Sequence, residues 1–248
     1  MLRLSVNVNK VATLRNSRGG GEPNVLDAVR VCVAAGAPSI TVHPRADERH
    51  IRRKDVQEIT SLLASEHPGV EYNIEGDPRP DWVDLVLEHR PTQATLVPVR
   101  PGELTSEAGF DPRADTGLVR PVVQQFKAQG IRVSLFVDPE PAAISWAESM
   151  GADRVELYTE PYARAFAAGG VERDRTFERY VHAAEHAHRL GLGVNAGHDL
   201  DLENLQLFRT LPHLDEVSIG HALIARALFQ GLEQVVREYV AACSLASA

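Results

Sequence analysis

The chain has 248 residues, 44% of them apolar, which is enough to build one large core. Its formal charge is −8, from 34 acids against 26 bases; this argues against a general nucleic-acid binder but leaves room for small anionic ligands at a local cluster of arginine and histidine. Cys32 and Cys243 begin no CxxC motif, the first residues lack the form of a signal peptide, and no run approaches the ~20 apolar residues of a membrane span, so a soluble cytoplasmic protein with free thiols and no zinc or redox centre is expected.

Leu2 to Asn9 alternates, with Leu4, Val6 and Val8 against Ser5, Asn7 and Asn9, and reads as a first strand with one polar face. A long cation-rich loop is expected next, from Lys10 through Arg15 and Arg18 to Gly19-Gly20-Gly21. A helix capped by Asn24 runs to Ala35, with Val25, Val29, Cys32 and Val33 on one face. The strand Ser39–Val42 leads directly into His43-Pro44-Arg45 and on to Arg49-His50, and Pro44 biases His43 toward an extended backbone. A helix over Arg53–Ser65, a strand Glu71–Glu75 stopped by Gly76, a helix Arg79–Glu88 and a strand Ala94–Val97 follow. Val99–Asp115 is the least regular stretch, and a loop of that length at the ligand face is expected to act as a lid. Then come a helix Thr116–Gln129 with Pro121 in its first turn, a strand Ile131–Val137, a helix Pro139–Met150 and a strand Arg154–Leu157. A loop Tyr158–Val171, a helix Asp174–Leu190, a strand Gly191–Asn195, a helix Leu202–Thr210, a strand Glu216–Ile219 and a helix Ala222–Ala241 complete the chain.

Eight strand–helix units with no interior linker predict an α/β protein, a single (β/α)8 TIM barrel domain over residues 1–248. A doubly wound sheet would want a GxGxxG turn after its first strand, and Arg18-Gly19-Gly20-Gly21 does not supply one. In a barrel the strand ends form the ligand face. Three of them carry a histidine beside Gly or Pro: His43-Pro44, Gly197-His198 and Gly220-His221. Glu75 ends another strand, where a carboxylate is costly unless paired or solvated. Glu156 lies within its strand and reads equally as an inward structural carboxylate.

Two histidines and a glutamate can move protons to and from a carbonyl compound. Lys10 is the one lysine placed for a Schiff base, a route the pattern does not favour. Three histidines could hold a metal, but Arg18, Arg45 and Arg49 on the same face favour an anion, and no metal is expected. The turn Ser218-Ile219-Gly220-His221-Ala222 should present backbone N–H groups at a helix start, a common phosphate site in barrels.

Several stretches together carry a resemblance: Val6-Asn7 with Ala12-Thr13-Leu14-Arg15-Asn16 and Arg18-Gly19; Ile40-Thr41-Val42-His43-Pro44-Arg45 with Arg49-His50-Ile51; Val194-Asn195-Ala196-Gly197-His198; and Ile219-Gly220-His221-Ala222. Nearly end to end, the chain resembles the pyridoxine 5'-phosphate synthase family. The resemblance implies a barrel with extra helices that assembles as an octamer of dimers and uses no metal or organic cofactor. It implies condensation of two small phosphorylated substrates, 1-deoxy-D-xylulose 5-phosphate and 3-amino-2-oxopropyl phosphate. By matching motifs, His43 corresponds to a first general base, Glu75 to a second acid–base group and His198 to the proton donor. Asn7, Arg18, Asp199, Gly220 and His221 correspond to contacts of the amino-ketone phosphate; Arg45, His50 and Thr105 correspond to contacts of the sugar phosphate, with Thr105 in the lid. The chain departs from the family where Asn9-Lys10 replaces the common Asp-His pair at positions that contact the sugar phosphate, and where Asp199 follows the histidine in place of a common glycine. Two other readings of the residues stay open: a barrel isomerase or aldolase acting on one sugar phosphate, and a metabolite-binding barrel without turnover.

Overall fold

The computed structural model describes residues 2–99, 106–114 and 117–244. Eight parallel strands close into a barrel in sequence order, each beside its chain neighbours and β8 returning to β1. They are β1 (Arg3–Asn7), β2 (Ser39–Val42), β3 (Glu71–Gly76), β4 (Gln93–Leu96), β5 (Arg132–Val137), β6 (Arg154–Tyr158), β7 (Gly193–Gly197) and β8 (Leu214–Ile219). Around them run α1 (Asn9–Asn16), α2 (Val25–Ala34), α3 (Arg53–Glu66), α4 (Pro80–His89), α5 (Val119–Ala128), α6 (Pro141–Met150), α7 (Glu160–Ala168), α8 (Gly170–Arg189), α9 (Leu205–Phe208), α10 (His221–Gln230) and α11 (Leu232–Ser244).

The alternation of the strands sorts their residues onto two faces. Leu4, Val6, Ile40, Val42, Ile74, Leu96, Leu135, Val155, Val194 and Val217 are fully or nearly fully buried in the apolar cluster shared with the helices. The hydrophobic core is therefore a ring between strands and helices. The opposite phase carries polar side chains into the barrel, where many of them bond one another. Ser5 and Thr41 hydroxyls meet at 2.6 Å, Asn73 donates to Thr41 at 3.2 Å, and Thr95 donates to Asn73 at 3.0 Å. Below that layer Glu71 accepts from Arg3 and Arg132, and Arg154 donates to Asn195 at 2.8 Å. Buried polar groups without such partners would be costly.

Several elements differ from the sequence reading. Asn9–Asn16, expected as the end of the first strand and a loop from Lys10, is helical; its buried face is Val11, Ala12 and Arg15. Glu160–Ala168, also expected as loop, is α7, begun by Pro161, whose missing N–H is harmless in a first turn. The expected final helix is two, α10 and α11, divided at Gly231, where φ is +88°. The segment Leu202–Thr210 keeps α-helix at Leu205–Phe208, and β7 runs two residues further than expected, so that His198 follows it immediately. Pro121 falls within the first turn of α5, as its missing donor requires.

Candidate active site

β2 delivers His43 one residue past its end, and β3 carries Glu75 as its next-to-last residue. His43 Nδ1 stands 3.6 Å from Glu75 Oε2, with both side chains buried. Two contacts fix this pair from outside. The His43 N–H donates to Asn9 Oδ1 at 2.9 Å, and the Asn9 N–H donates to Asn7 Oδ1 at 3.0 Å, so the first strand's end ties down the second's. Trp82 Nε1 donates to the Glu75 carbonyl at 3.0 Å.

The pair is not an ion pair at neutral pH. Burial holds His43 well below its ordinary value, helped by Arg45, His50, Arg79 and His198. Burial likewise pushes Glu75 up, to about 8, and Glu216 adds to the rise while Arg45 opposes it. The result is an unprotonated imidazole beside a protonated carboxyl, a base and an acid held ready in one place.

Beside them lies a positive corner. Arg45 is buried, His50 is mostly so, and burial with Arg45, Lys10 and Arg49 lowers His50 to about 4. His50 Nδ1 accepts the Ile51 N–H at 3.0 Å, which leaves Nε2 as its donor. The loop is anchored from α1: Arg15 pairs with Asp55 at 2.5 and 2.9 Å and donates to the His50 carbonyl at 3.2 Å, joined there by Asn16 at 2.8 Å. Arg79 donates to the Pro44 carbonyl at 2.8 Å. Such a corner attracts an anion.

In the closed ring β7 lies across from β3. It ends at Gly197, where a β-carbon would overlap the Glu156 carboxylate; glycine makes room for that side chain. His198 follows with φ +82°. Thr159 Oγ1 donates to the Gly197 carbonyl at 2.5 Å and to the His198 carbonyl at 3.1 Å, and the Leu200 N–H donates to the latter as well. The His198 ring packs against Phe136 and Tyr158, with centroids 6.0 and 5.6 Å away, and its Nδ1 is 3.3 Å from Asp199 Oδ2. Next to it, Gly220 caps α10, and a β-carbon there would crowd Asn7 at 3.1–3.2 Å.

The structure thus brings His43, Glu75, Arg45, His50 and Asn9 together at one rim, joins Asp199 to His198, and packs Gly220 against Asn7. Lys10 is exposed on the first turn of α1 within electrostatic reach of His50; Arg18 and His221 are exposed, in the turn after α1 and at the start of α10. Thr105 lies outside the described residues. Arg15, expected in the cation-rich loop after the first strand, is a buried tie instead. Phe136, Tyr158, Thr159 and Trp82 were missed as site-builders. For the two aromatics a signal existed, since they continue the inward phase of Ser134 and Glu156.

Glu156 is buried within β6 and pushed well above the ordinary carboxyl range by burial, then by Glu75 and Glu216. A raised carboxyl adds no penalty while both folded and unfolded chains hold the proton. As pH climbs above the unfolded value, the unfolded chain releases its proton more readily, so stability falls toward alkaline pH. Glu156→Gln is therefore expected to raise the melting temperature more at pH 9 than at pH 6, as calorimetry at the two values would show.

The sequence profile of the family described as pyridoxal phosphate biosynthesis protein PdxJ matches residues 4–245. A protein of Porphyromonas gingivalis named pyridoxine 5'-phosphate synthase is 53% identical over 240 residues, covering 96% of this chain and 98% of its own. Its namesake from Bacteroides thetaiotaomicron is 51% identical with the same coverage. Among solved structures, tryptophan synthase from Mycobacterium tuberculosis superposes with a TM-score of 0.64 at 12% identity, covering 99% of this chain and 93% of that one. Phosphoribosyl anthranilate isomerase from Thermotoga maritima gives 0.61 at 15% identity, covering 98% of both chains. These two likenesses are of fold alone.

Proposed function

Since the chain belongs to the PdxJ family and is an enzyme that makes pyridoxine 5'-phosphate, we propose that it condenses 1-deoxy-D-xylulose 5-phosphate with 3-amino-2-oxopropyl phosphate, with His43, Glu75 and His198 moving the protons. The observation that carries this reading is the buried His43–Glu75 pair at 3.6 Å, with the imidazole held unprotonated and the carboxyl held protonated. One group can take a proton and its neighbour can give one without either first exchanging with solvent.

The amine condenses with the sugar ketone to an imine, and water leaves. His43 abstracts a proton, and phosphate departs by elimination. Enolisation, with Glu75 supplying a proton at oxygen, prepares attack on the remaining carbonyl and closes the ring. A last dehydration makes the ring aromatic, with His198 protonating the departing hydroxyl. The corner of Arg45 and His50, with Asn9 and Lys10 in place of the family's Asp-His pair and with Thr105, holds the sugar phosphate. Asn7, Arg18, the backbone of Asp199, Gly220 and His221 hold the amino-ketone phosphate at the start of α10, where free N–H groups favour an anion. Glu156 supports the inner wall. The exposed pair Leu228 and Phe229 at the end of α10 supports assembly of copies, in this family's case an octamer in the cytoplasm.

Incubating the protein with both substrates should release phosphate and a fluorescent pyridinol in equal amounts, and neither should form with one substrate alone. Turnover of a single sugar phosphate would favour an isomerase or aldolase. Tight binding of both without phosphate release would favour a barrel that binds and does not convert.

A further inference from the structure

We propose that Asp199, which stands where the family commonly has glycine, is a positioning residue: its carboxylate accepts a hydrogen bond from the Nδ1–H of His198, so that Nε2 is the nitrogen presented to the substrates. The proposal rests on the reading of His198 as a proton donor.

Three observations lead to it. First, the backbone of His198 is already fixed, by Thr159 on the Gly197 and His198 carbonyls and by the Leu200 N–H. Second, Phe136 and Tyr158 fence the ring at 6.0 and 5.6 Å, which places the imidazole without choosing between its nitrogens. Third, Asp199 Oδ2 lies 3.3 Å from Nδ1, and an ionised carboxylate can only accept, so Nδ1 must donate. The contact with His198 also keeps the Asp199 carboxyl below its ordinary range, against the effect of burial and with help from His221.

As the imidazolium, a ring held in this way gives its Nε2 proton to a leaving group and keeps the other proton on Nδ1, hydrogen-bonded to Asp199, throughout; the carboxylate steadies the charged ring before the transfer. A glycine at this position supplies a backbone N–H and no carboxylate to accept from Nδ1. Besides His198, the Asp199 carboxylate meets its own backbone N–H, and the link that ties the turn to α9's start, from Asn204 Nδ2 at 3.0 Å, goes to the Asp199 carbonyl and not to its side chain. Asp199 can therefore be changed without disturbing the turn. Its carboxylate also stands beside the corner assigned to a phosphate, where a negative charge gains nothing for binding. The contribution should therefore show in kcat and not in KM.

The test uses Asp199→Ala and Asp199→Asn in the full-length protein, with His198→Asn to assign the resonances. In nitrogen NMR of histidine-labelled free enzyme at alkaline pH, His198 should carry its proton on Nδ1, and Asp199→Ala should abolish that preference. Turnover by Asp199→Ala should fall about tenfold, less than the roughly 10²–10⁴ of a whole acid–base group because this carboxylate is half exposed. KM for both substrates should stay within about twofold, and Asp199→Asn, whose amide oxygen can still accept, should lie between. A proton on Nε2 in the unmodified enzyme, or the same spectrum with and without the carboxylate, would overturn the pairing whatever His198→Asn does to turnover. If the tautomer shifts as expected but His198→Asn remains active, the pairing stands and the catalytic reading of His198 falls.

Discussion

Replacing His43 with asparagine is expected to lower kcat by about 10³-fold, within the range usual for a general base. Its melting temperature should stay within a few degrees of the unmodified protein's. The tie to β1 runs through the backbone, from the His43 N–H to Asn9 Oδ1 at 2.9 Å, and does not depend on the side chain. Among the described residues the imidazole's buried Nε2 has no hydrogen-bond partner, so the folded protein gains little from it. A group that the fold can do without, set 3.6 Å from a carboxyl raised by burial, has its use in chemistry. Steady-state kinetics together with a thermal melt would separate the two effects. A large fall in stability with normal turnover per folded molecule would assign His43 to the fold.

Asp55→Asn should act in the opposite sense. Asp55 and Arg15 are both buried, and removing one partner leaves a buried charge uncompensated, at a cost of about 3–5 kcal/mol. For a chain of this length that is a fall of about 10 °C in melting temperature. Asp55 Oδ2 also accepts the Arg52 N–H at 2.8 Å at the start of α3, so the helix start weakens too. Arg15 holds the His50 carbonyl, so KM for the sugar phosphate should rise, while the chemical step, which runs through His43 and Glu75, should change less. A variant that melts normally would show the Arg15–Asp55 tie to be dispensable.

The strand order, and the placement of His43, Glu75 and His198 at strand ends, are legible because period-two alternation and glycine stops mark where strands begin and end. A charged or histidine residue at such an end has few structural uses. The two helices taken for loops had no such mark. The buried face of α1 includes Arg15, which on sequence reads as polar surface, and only its partner Asp55, forty positions away, makes it a core residue. The opening Glu160-Pro161 of α7 reads as a turn, although proline suits a helix start. Asn9 was read as a sugar-phosphate contact because the family's aspartate sits there. Its amide oxygen also accepts the His43 N–H, a long-range bond that no local pattern encodes. The protonation of Glu75 was likewise beyond the sequence, since it follows from burial and from Glu216 on a strand distant in the chain.

The most direct measurement is the ratio of kcat/KM for the unmodified enzyme to that for Glu75→Gln, taken from pH 6 to 9.5. The substrates' own amine and phosphates titrate identically in both series and cancel. If Glu75 works as a protonated acid, the ratio is constant below about pH 8 and then falls toward tenfold per pH unit as the carboxyl ionises. A ratio that stays flat across the whole range, or that rises above pH 8, would contradict a proton-donating Glu75 beside an unprotonated His43.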